Sequence, residues 1–208
     1  MRRNDGAHDR CVMHVIAGSS TRQPASSPWA PTLETARLHL VPPAVADLED
    51  AAAMWAHPAV YGMIGGRPFT REEVWQRLLR YIGHWHLLGY GTWTIRARQD
   101  GAYLGSVGLM LSRRATIPSF EDEVEAGWTL VPHAHGQGYA REALGAMLTW
   151  ADANGIAPVL CIIDDANLPS IRLAERCGFR PAGTVQYREQ PVRLFRREKP
   201  PVPPLMEL

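Results

Sequence analysis

From Arg37 onward the apolar positions fall into short alternating runs and longer stretches of helical period. Arg37-Leu38-His39-Leu40-Val41 alternates and reads as a first strand, closed by Pro42-Pro43, which cannot extend a ladder. Residues 44–57 follow, with Leu48, Ala52 and Trp55 at helical spacing. A second helix is predicted to open at Thr70, where Thr70 and Glu73 have the spacing of a capping box. Val74, Leu78, Tyr81 and Trp85 form its apolar stripe. Thr92 to Arg98 alternates again, with Trp93, Ile95 and Ala97 on one face; Asp100-Gly101 is a hairpin signal, and Tyr103 to Leu109 returns as the paired strand.

Glu123 to Val131 is a further strand, with Val124, Ala126, Trp128 and Leu130 on one face and Glu123, Glu125 and Gly127 on the other. Tyr139 to Asn154 has the period of a helix, with Leu144, Met147, Leu148 and Ala151 as its stripe and Gly155 placed as its stop. Val159 to Asp164 is a continuous apolar run, the pattern of a strand buried on both faces. Pro169 to Arg176 reads as a short helix ended by Gly178, and Thr184–Arg188 with Val192–Arg196 as a closing hairpin around Gln190-Pro191. The order β-α-α-β-β-β-α-β-α-β-β predicts a mixed α/β sheet with helices on both faces. A right-handed crossover through 139–154 would make strands 123–131 and 159–164 parallel.

Composition adds boundaries and exclusions. The chain has 208 residues, enough for one domain with its own core, and its formal net charge of +1 offers no global field for nucleic acid or anionic lipid. Residues 1–30 are rich in Ser, Pro, Gly and Arg without periodicity and read as an extension; 31–199 form the domain, and 200–208 a Pro-rich tail. Among the 22 basic residues only Lys199 is a lysine, placed in EKPPVPPL. A Schiff base or a P-loop lysine is therefore excluded, and any phosphate must be held by arginine, backbone N–H groups or a helix N-terminus. Three cysteines without CxxC spacing suggest neither a disulfide framework nor a metal knuckle, and Cys161 reads as a small buried hydrophobe. No apolar run approaches a membrane span, and the start has no clear leader pattern, so a cytoplasmic protein is expected.

The strongest chemical feature is strand–HGQGYA–helix over 123–154. A glycine-rich turn that opens a helix aims several free N–H groups at one spot with the helix dipole behind them, and Gly136 and Gly138 let an anion approach the backbone. The same glycines would also serve an ordinary βα turn. The P-loop pattern is absent, and a dinucleotide fingerprint would need Gly or Ala where Arg141 stands and an earlier strand-end acid than Asp164 or Asp165.

Three segments resemble the GNAT acetyltransferase superfamily, most closely its RimJ/RimL-like branch: LETARLHL at 33–40, EAGWTLVPHAHGQGYAREAL at 125–144, and NLPSIRLAERCGF at 167–179. With the matching element order, the resemblance covers about residues 32–198. It implies a sheet whose two neighbouring parallel strands splay apart to admit the pantetheine arm of acetyl-CoA, used as co-substrate without a metal. Backbone groups around Leu130 and Val131 would pair with the pantetheine amides. The N–H groups of His135, Gly136, Gln137, Gly138, Tyr139 and Ala140 would hold the pyrophosphate. Arg141 and Arg172 would meet the CoA phosphates, and Asn167 the pantetheine or a bound water. His135 stands where the motif prefers Arg or Gln, and Ala174 where many members carry a tyrosine acid.

The implied reaction is direct attack of a neutral primary amine on the thioester, in a ternary complex. An α-amine, with pKa about 7.7–8.0, suits this better than a lysine near 10.4. Glu125 is the candidate base, or else a solvated or ion-paired strand carboxylate; Ser170 is the candidate acid for the leaving thiolate, or else a capping residue. The acceptor, a protein N-terminus or a small amine, is open, as is the choice between monomer and homodimer. The acidic run Glu121-Asp122-Glu123-Val124-Glu125 would attract a cationic amine, or form a solvated edge. Trp75, Trp85 and Trp93 would line an acceptor cleft, or the core, and the HxH pairs 84–86 and 133–135 lack a third metal ligand. A non-catalytic CoA-binding module and a nucleotide-binding α/β enzyme are the rival readings.

Overall fold

The computed structural model describes residues 29–199. Most of the extension assigned to 1–30, and the whole tail 200–208, lie outside the described residues. Trp29 and Ala30 belong to the fold: Ala30 is buried, and the Trp29 ring meets His86 at 5.0 Å.

Nine strands form one sheet: β1 (Leu33–Glu34), β2 (Leu38–Val41), β3 (Thr92–Ala97), β4 (Tyr103–Met110), β5 (Thr116–Ile117), β6 (Val124–Leu130), β7 (Val159–Ile163), β8 (Arg180–Tyr187) and β9 (Gln190–Arg197). Their order is β1-β2-β3-β4-β6-β7-β9-β8-β5. Every neighbouring pair is antiparallel except β6 and β7, joined by α4 (Tyr139–Ala153) as the crossover. The other helices are α1 (Leu48–Trp55), α2 (Pro58–Tyr61), α3 (Arg71–Leu88) and α5 (Leu168–Arg176).

Alternation along β3 sends neighbouring side chains to opposite layers. Trp93 packs on Trp150 of α4, with ring centroids 5.1 Å apart. Its neighbour Thr94 points the other way and donates to Asp47, just before α1, at 2.6 Å. Helices therefore cover both faces. Asp47 is buried, and it also accepts from the Ala44 N–H at 2.9 Å and from the Arg96 guanidinium. Trp85 of α3 closes the layer over Trp93 and Trp150, with centroids at 4.6 and 5.6 Å. The tryptophans Trp85 and Trp93 are thus core, and Trp75 is half-buried against the same cluster.

Thr70 caps α3 as its spacing predicts: its hydroxyl accepts from the Glu73 N–H at 3.2 Å and the Glu73 carboxylate accepts from the Thr70 N–H at 2.8 Å. The Arg67 guanidinium and the Thr70 N–H hold the Glu73 pKa down at about 2. A depressed carboxyl pKa stabilises above the unfolded value, so the box persists at neutral pH and fades only as pH falls from 4.5 toward about 2. Thr70→Ala is expected to cost about 1 kcal/mol, a drop of about 2–4 °C in Tm by calorimetry at pH 7.

The closing hairpin differs from expectation. Its turn is Arg188-Glu189, both at positive φ (51° and 63°), rather than Gln190-Pro191, and its strands are longer than the alternation showed. Positive φ at both central residues is the turn whose twist suits a hairpin, but here no glycine or asparagine announces it. The two-residue strands β1 and β5 and the single turn of α2 also escape the pattern, because none spans a full period. Residues 44–57 divide into a 3-10 turn, Val45–Asp47, and α1.

Candidate active site

The site begins where β6 and β7 part. They pair only at Val124↔Val159 and Glu125↔Leu160; beyond Glu125 each strand continues without the other. Strand chemistry decides which groups then face the gap. Val131 N–H donates to the Leu104 carbonyl at 3.0 Å, so Val131 is directed at β4, as are Thr129, Gly127 and Glu125 by alternation. Trp128 and Leu130 therefore turn their backbone groups toward β7, which has moved away. Of the predicted pair Leu130 and Val131, the first faces the opening and the second is committed to the sheet. The Leu130 carbonyl is itself engaged by His135 Nε2 at 2.9 Å. A carbonyl only accepts, so Nε2 carries the proton.

β6 leads through a 3-10 turn, Pro132–Ala134, into the glycine-rich segment. Gly136 and Gly138 take φ of 73° and 80°, the left-handed region that glycine enters at no steric cost. Gly138 is the N-cap of α4, and the first helical bond is Glu142 N–H to the Gly138 carbonyl, 3.1 Å. The His135 N–H is already used, on the Pro132 carbonyl at 3.1 Å. Among the described residues the N–H groups from Gly136 through Arg141 have no backbone acceptor, so the open run is displaced by one position from the predicted His135–Ala140. These six donors, exposed or half-buried at a helix N-terminus, fit a pyrophosphate.

Glu142, the one acid in the first turn of α4, would repel that anion. It is neutralised from β2's side. The Thr35 hydroxyl donates to it at 2.7 Å, the Arg37 N–H at 2.8 Å, and the Arg37 guanidinium at 2.7 Å. Burial works to raise the Glu142 pKa, but these donors outweigh it and the carboxyl ionises below its usual range. The same Arg37 donates to the Gln137 carbonyl at 3.0 Å and stacks on Tyr139 at 4.4 Å, a brace for the turn that its place in an alternating strand gave no reason to single out. Arg141 and Arg172 are exposed and have no carboxylate partner among the described residues, as phosphate ligands would require.

At the end of β7, α5 opens on Asn167, whose side-chain oxygen accepts from the Ser170 N–H at 3.2 Å. Asn167 is the cap. Ser170 is half-buried, and its hydroxyl makes no hydrogen bond within the described residues, which leaves it free to donate.

Glu125 lies at the last paired position before the strands part. Its carboxylate is buried, and both oxygens accept from Arg114: Nε to Oε2 at 2.7 Å and Nη2 to Oε1 at 2.9 Å. Arg114 Nη1 donates onward to the Tyr187 hydroxyl at 2.8 Å, tying the closing hairpin to the vertex. Desolvation would lower the Arg114 pKa, but Glu125 and Tyr187 overcome it and raise it. The pairing takes one lone pair on each oxygen and makes Glu125 an ion-paired strand carboxylate, one of the two readings its sequence position allowed. The rest of the acidic run is matched likewise, Asp122 with Arg113 at 2.5 Å and Glu123 with Arg196 at 2.5 Å, and Glu121 has no ion pair among the described residues. The run is therefore not a patch of free negative charge.

The remaining candidates are accounted for locally. His84 Nδ1 meets the Arg80 carbonyl at 2.9 Å, and among the described residues no three His, Cys, Asp or Glu side chains converge on a point. Burial, and then the charge of Glu125, push the Cys161 thiol well above its usual value, so it is no nucleophile. A cavity of about 560 Å³ opens between Cys177-Gly178 and Arg196–Lys199, along the end of β9, the strand that pairs with β7 on the side away from the gap.

Parallel strands that part beside an open N–H cradle are the two features that the acetyltransferase resemblance implies for this end of the sheet. The family model for the acetyltransferase (GNAT) domain matches residues 37–180, and the chain belongs to that family. It is 32% identical over 163 residues to the FsC-acetyl coenzyme A-N(2)-transacetylase of Aspergillus fumigatus, covering 71% of this chain and 64% of that protein, so slightly less than two thirds of the relative is represented. A solved Bordetella pertussis protein assigned to the GnaT family of acetyltransferases is 32% identical, with a TM-score of 0.72 over 81% of this chain and 99% of that one. The acetyltransferase from Agrobacterium tumefaciens str. C58 gives 26% identity and a TM-score of 0.71, over 86% and 99%.

Proposed function

We propose that the protein transfers the acetyl group of acetyl-CoA to a primary amine by direct attack, as an enzyme of the RimJ/RimL-like branch. The observation that carries this reading is the conjunction of two features: a β6–β7 gap with the Trp128 and Leu130 backbone turned into it, and six open N–H groups at its outer end. Bound acetyl-CoA supplies the thioester. The span from Leu130 back to Glu125 is about 17 Å of strand, comparable to an extended pantetheine arm, which would bring the thioester to the vertex. The neutral acceptor amine forms the C–N bond as the C–S bond breaks; the Ser170 hydroxyl donates a proton to the departing sulfur and regains one, relayed through water, from the acylated nitrogen. Glu125 acts by holding Arg114 at the vertex. The free thiols of Cys161 and Cys177 support a cytoplasmic setting.

A thermal-shift panel of CoA, NAD and ATP, followed by thiol release from acetyl-CoA with a set of amines, tests the reading. Stabilisation by CoA and amine-dependent release are expected. Stabilisation by NAD alone overturns it, and CoA binding with no amine acetylated returns the chain to a binding module. Ser170→Ala is expected to lower kcat about 10²-fold while leaving CoA-induced stabilisation in place; unchanged turnover would remove Ser170 from the mechanism.

A further inference from the structure

The cavity at the end of β9 has cationic walls. It measures about 560 Å³, within the range of small-molecule sites, and Arg180, Arg196, Arg197 and Lys199 are among the residues that line it. Lys199 is the only lysine of the chain. Two of these cations are met by acids from other elements: Arg196 by Glu123 at 2.5 Å, and Arg197 by both oxygens of Asp152, at 2.8 and 2.7 Å. Arg180 and Lys199 are exposed and have no carboxylate partner among the described residues. The one acid in the lining, Glu198, has no ion pair there either. Four cations against these three acids leave positive charge in excess.

Two contacts show where that charge is directed. Arg180 and Arg196 stand directly opposite each other in the β8–β9 register, and like charges facing across an antiparallel pair repel. An anion beside them relieves the repulsion. Arg197 is only 9% exposed, and Asp152 takes its two Nη groups, so its Nε has no acceptor among the described residues. That Nε lies 3.8 Å from the place a Cβ would take on Gly178, which is itself part of the wall. A largely buried guanidinium thus keeps a spare donor at the cavity. Just past Arg180 the strand bulges, with Ala182 left over between Pro181↔Phe195 and Gly183↔Leu194. Pro181 and Ala182 give the same wall an apolar stretch.

We propose that this cavity binds a small organic dianion, a phosphate monoester or a dicarboxylate. Its charged groups meet Arg180, Lys199 and the Arg197 Nε, and its carbon part lies against Pro181 and Ala182. Guanidinium and ammonium groups make their strongest hydrogen bonds to such oxygens. The site is separate from the acetyl-CoA site and does not depend on the transferase reading. The two lie at opposite ends of α5, with Asn167 and Ser170 at the gap and Cys177, the C-cap, in the cavity wall.

Calorimetry on the full chain, with and without saturating CoA, tests this with phenyl phosphate and succinate as dianions and phenol and succinamide as their neutral counterparts. At least one dianion is expected to bind about 10-fold or more tightly than its counterpart, with the same Kd whether CoA is present or not. Binding in one arm alone names that anion, phosphate ester or dicarboxylate, as the ligand class. Arg180→Gln and Lys199→Gln should each weaken the binding by about 5-fold or more. The same charge change at Arg71, paired with Glu49 elsewhere on the surface, should leave it as in wild type. Arg197 is kept, because its pair with Asp152 joins β9 to α4. No preference for either dianion, or binding untouched by both substitutions, overturns the inference. Displacement of the dianion by CoA overturns it too, because it assigns the anion to the N–H cradle. The transferase reading is decided separately, by thiol release.

Discussion

Gly138→Val is expected to weaken CoA binding by about 100-fold, through loss of two or so well-aimed N–H contacts to phosphate. Gly138 is the N-cap of α4 at φ 80°, ψ 0°, and its conformation turns the N–H groups of the first turn outward together. A β-branched residue at positive φ is sterically strained by about 1–2 kcal/mol. An added Cβ would also meet Arg37 Nη2 at 3.4 Å, the group next to the one that braces the Gln137 carbonyl. The strain is relieved by rotating the peptide units on either side, and that rotation misaims the donors. Gly138→Asn separates geometry from size, because asparagine enters the left-handed region more readily; a loss of 10-fold or less is expected. Calorimetric Kd values for CoA on the two variants check this, with far-UV circular dichroism confirming that the fold survives. Equal binding by the valine variant would remove the turn from CoA recognition.

The cradle was legible because its signal is local: glycines at fixed offsets between an alternating run and a helical one. The α3 cap was legible for the same reason, since Thr70 and Glu73 meet within one turn. What escaped is the pairing that spans sequence distance. The sequence left Glu125 as either a base or an ion-paired carboxylate, because its partner, Arg114, lies eleven residues back in a segment with no period, and Tyr187 lies seventy-three residues on from Arg114. The acidic run was open in the same way: four carboxylates in five positions read as a field or as a solvated edge, and in the fold three of them meet arginines delivered by the loop and by β9. Arg37 shows the converse case. It reads as one polar position of a strand, yet it neutralises Glu142 in the cradle's first turn. Charge in a sequence is a composition; in the fold it is a set of pairs, and only the remainder recognises ligands.

The largest effect on stability should come from Glu125→Ala. Its side chain is 6% exposed and that of Arg114 26%, so removing the carboxylate leaves a guanidinium largely buried without its partner. Breaking such a pair costs about 3 kcal/mol or more, a fall of about 6–12 °C in Tm. Lost activity in this variant would therefore say nothing about proton transfer. Glu125→Gln keeps the shape and one acceptor, and its pH profile separates the two roles. If Glu125 holds Arg114, kcat falls while the acidic limb of kcat/KM stays where the acceptor amine sets it, near pH 7.7–8.0 for an α-amine. Arg114→Gln should then lower kcat by a similar factor, and the double variant should be little worse than either, because the two residues act as one unit. A Glu125→Gln profile whose acidic limb is gone would instead make the carboxylate the base. Arg114 would then have to release an oxygen when the acceptor binds, and Arg114→Gln would leave the limb in place.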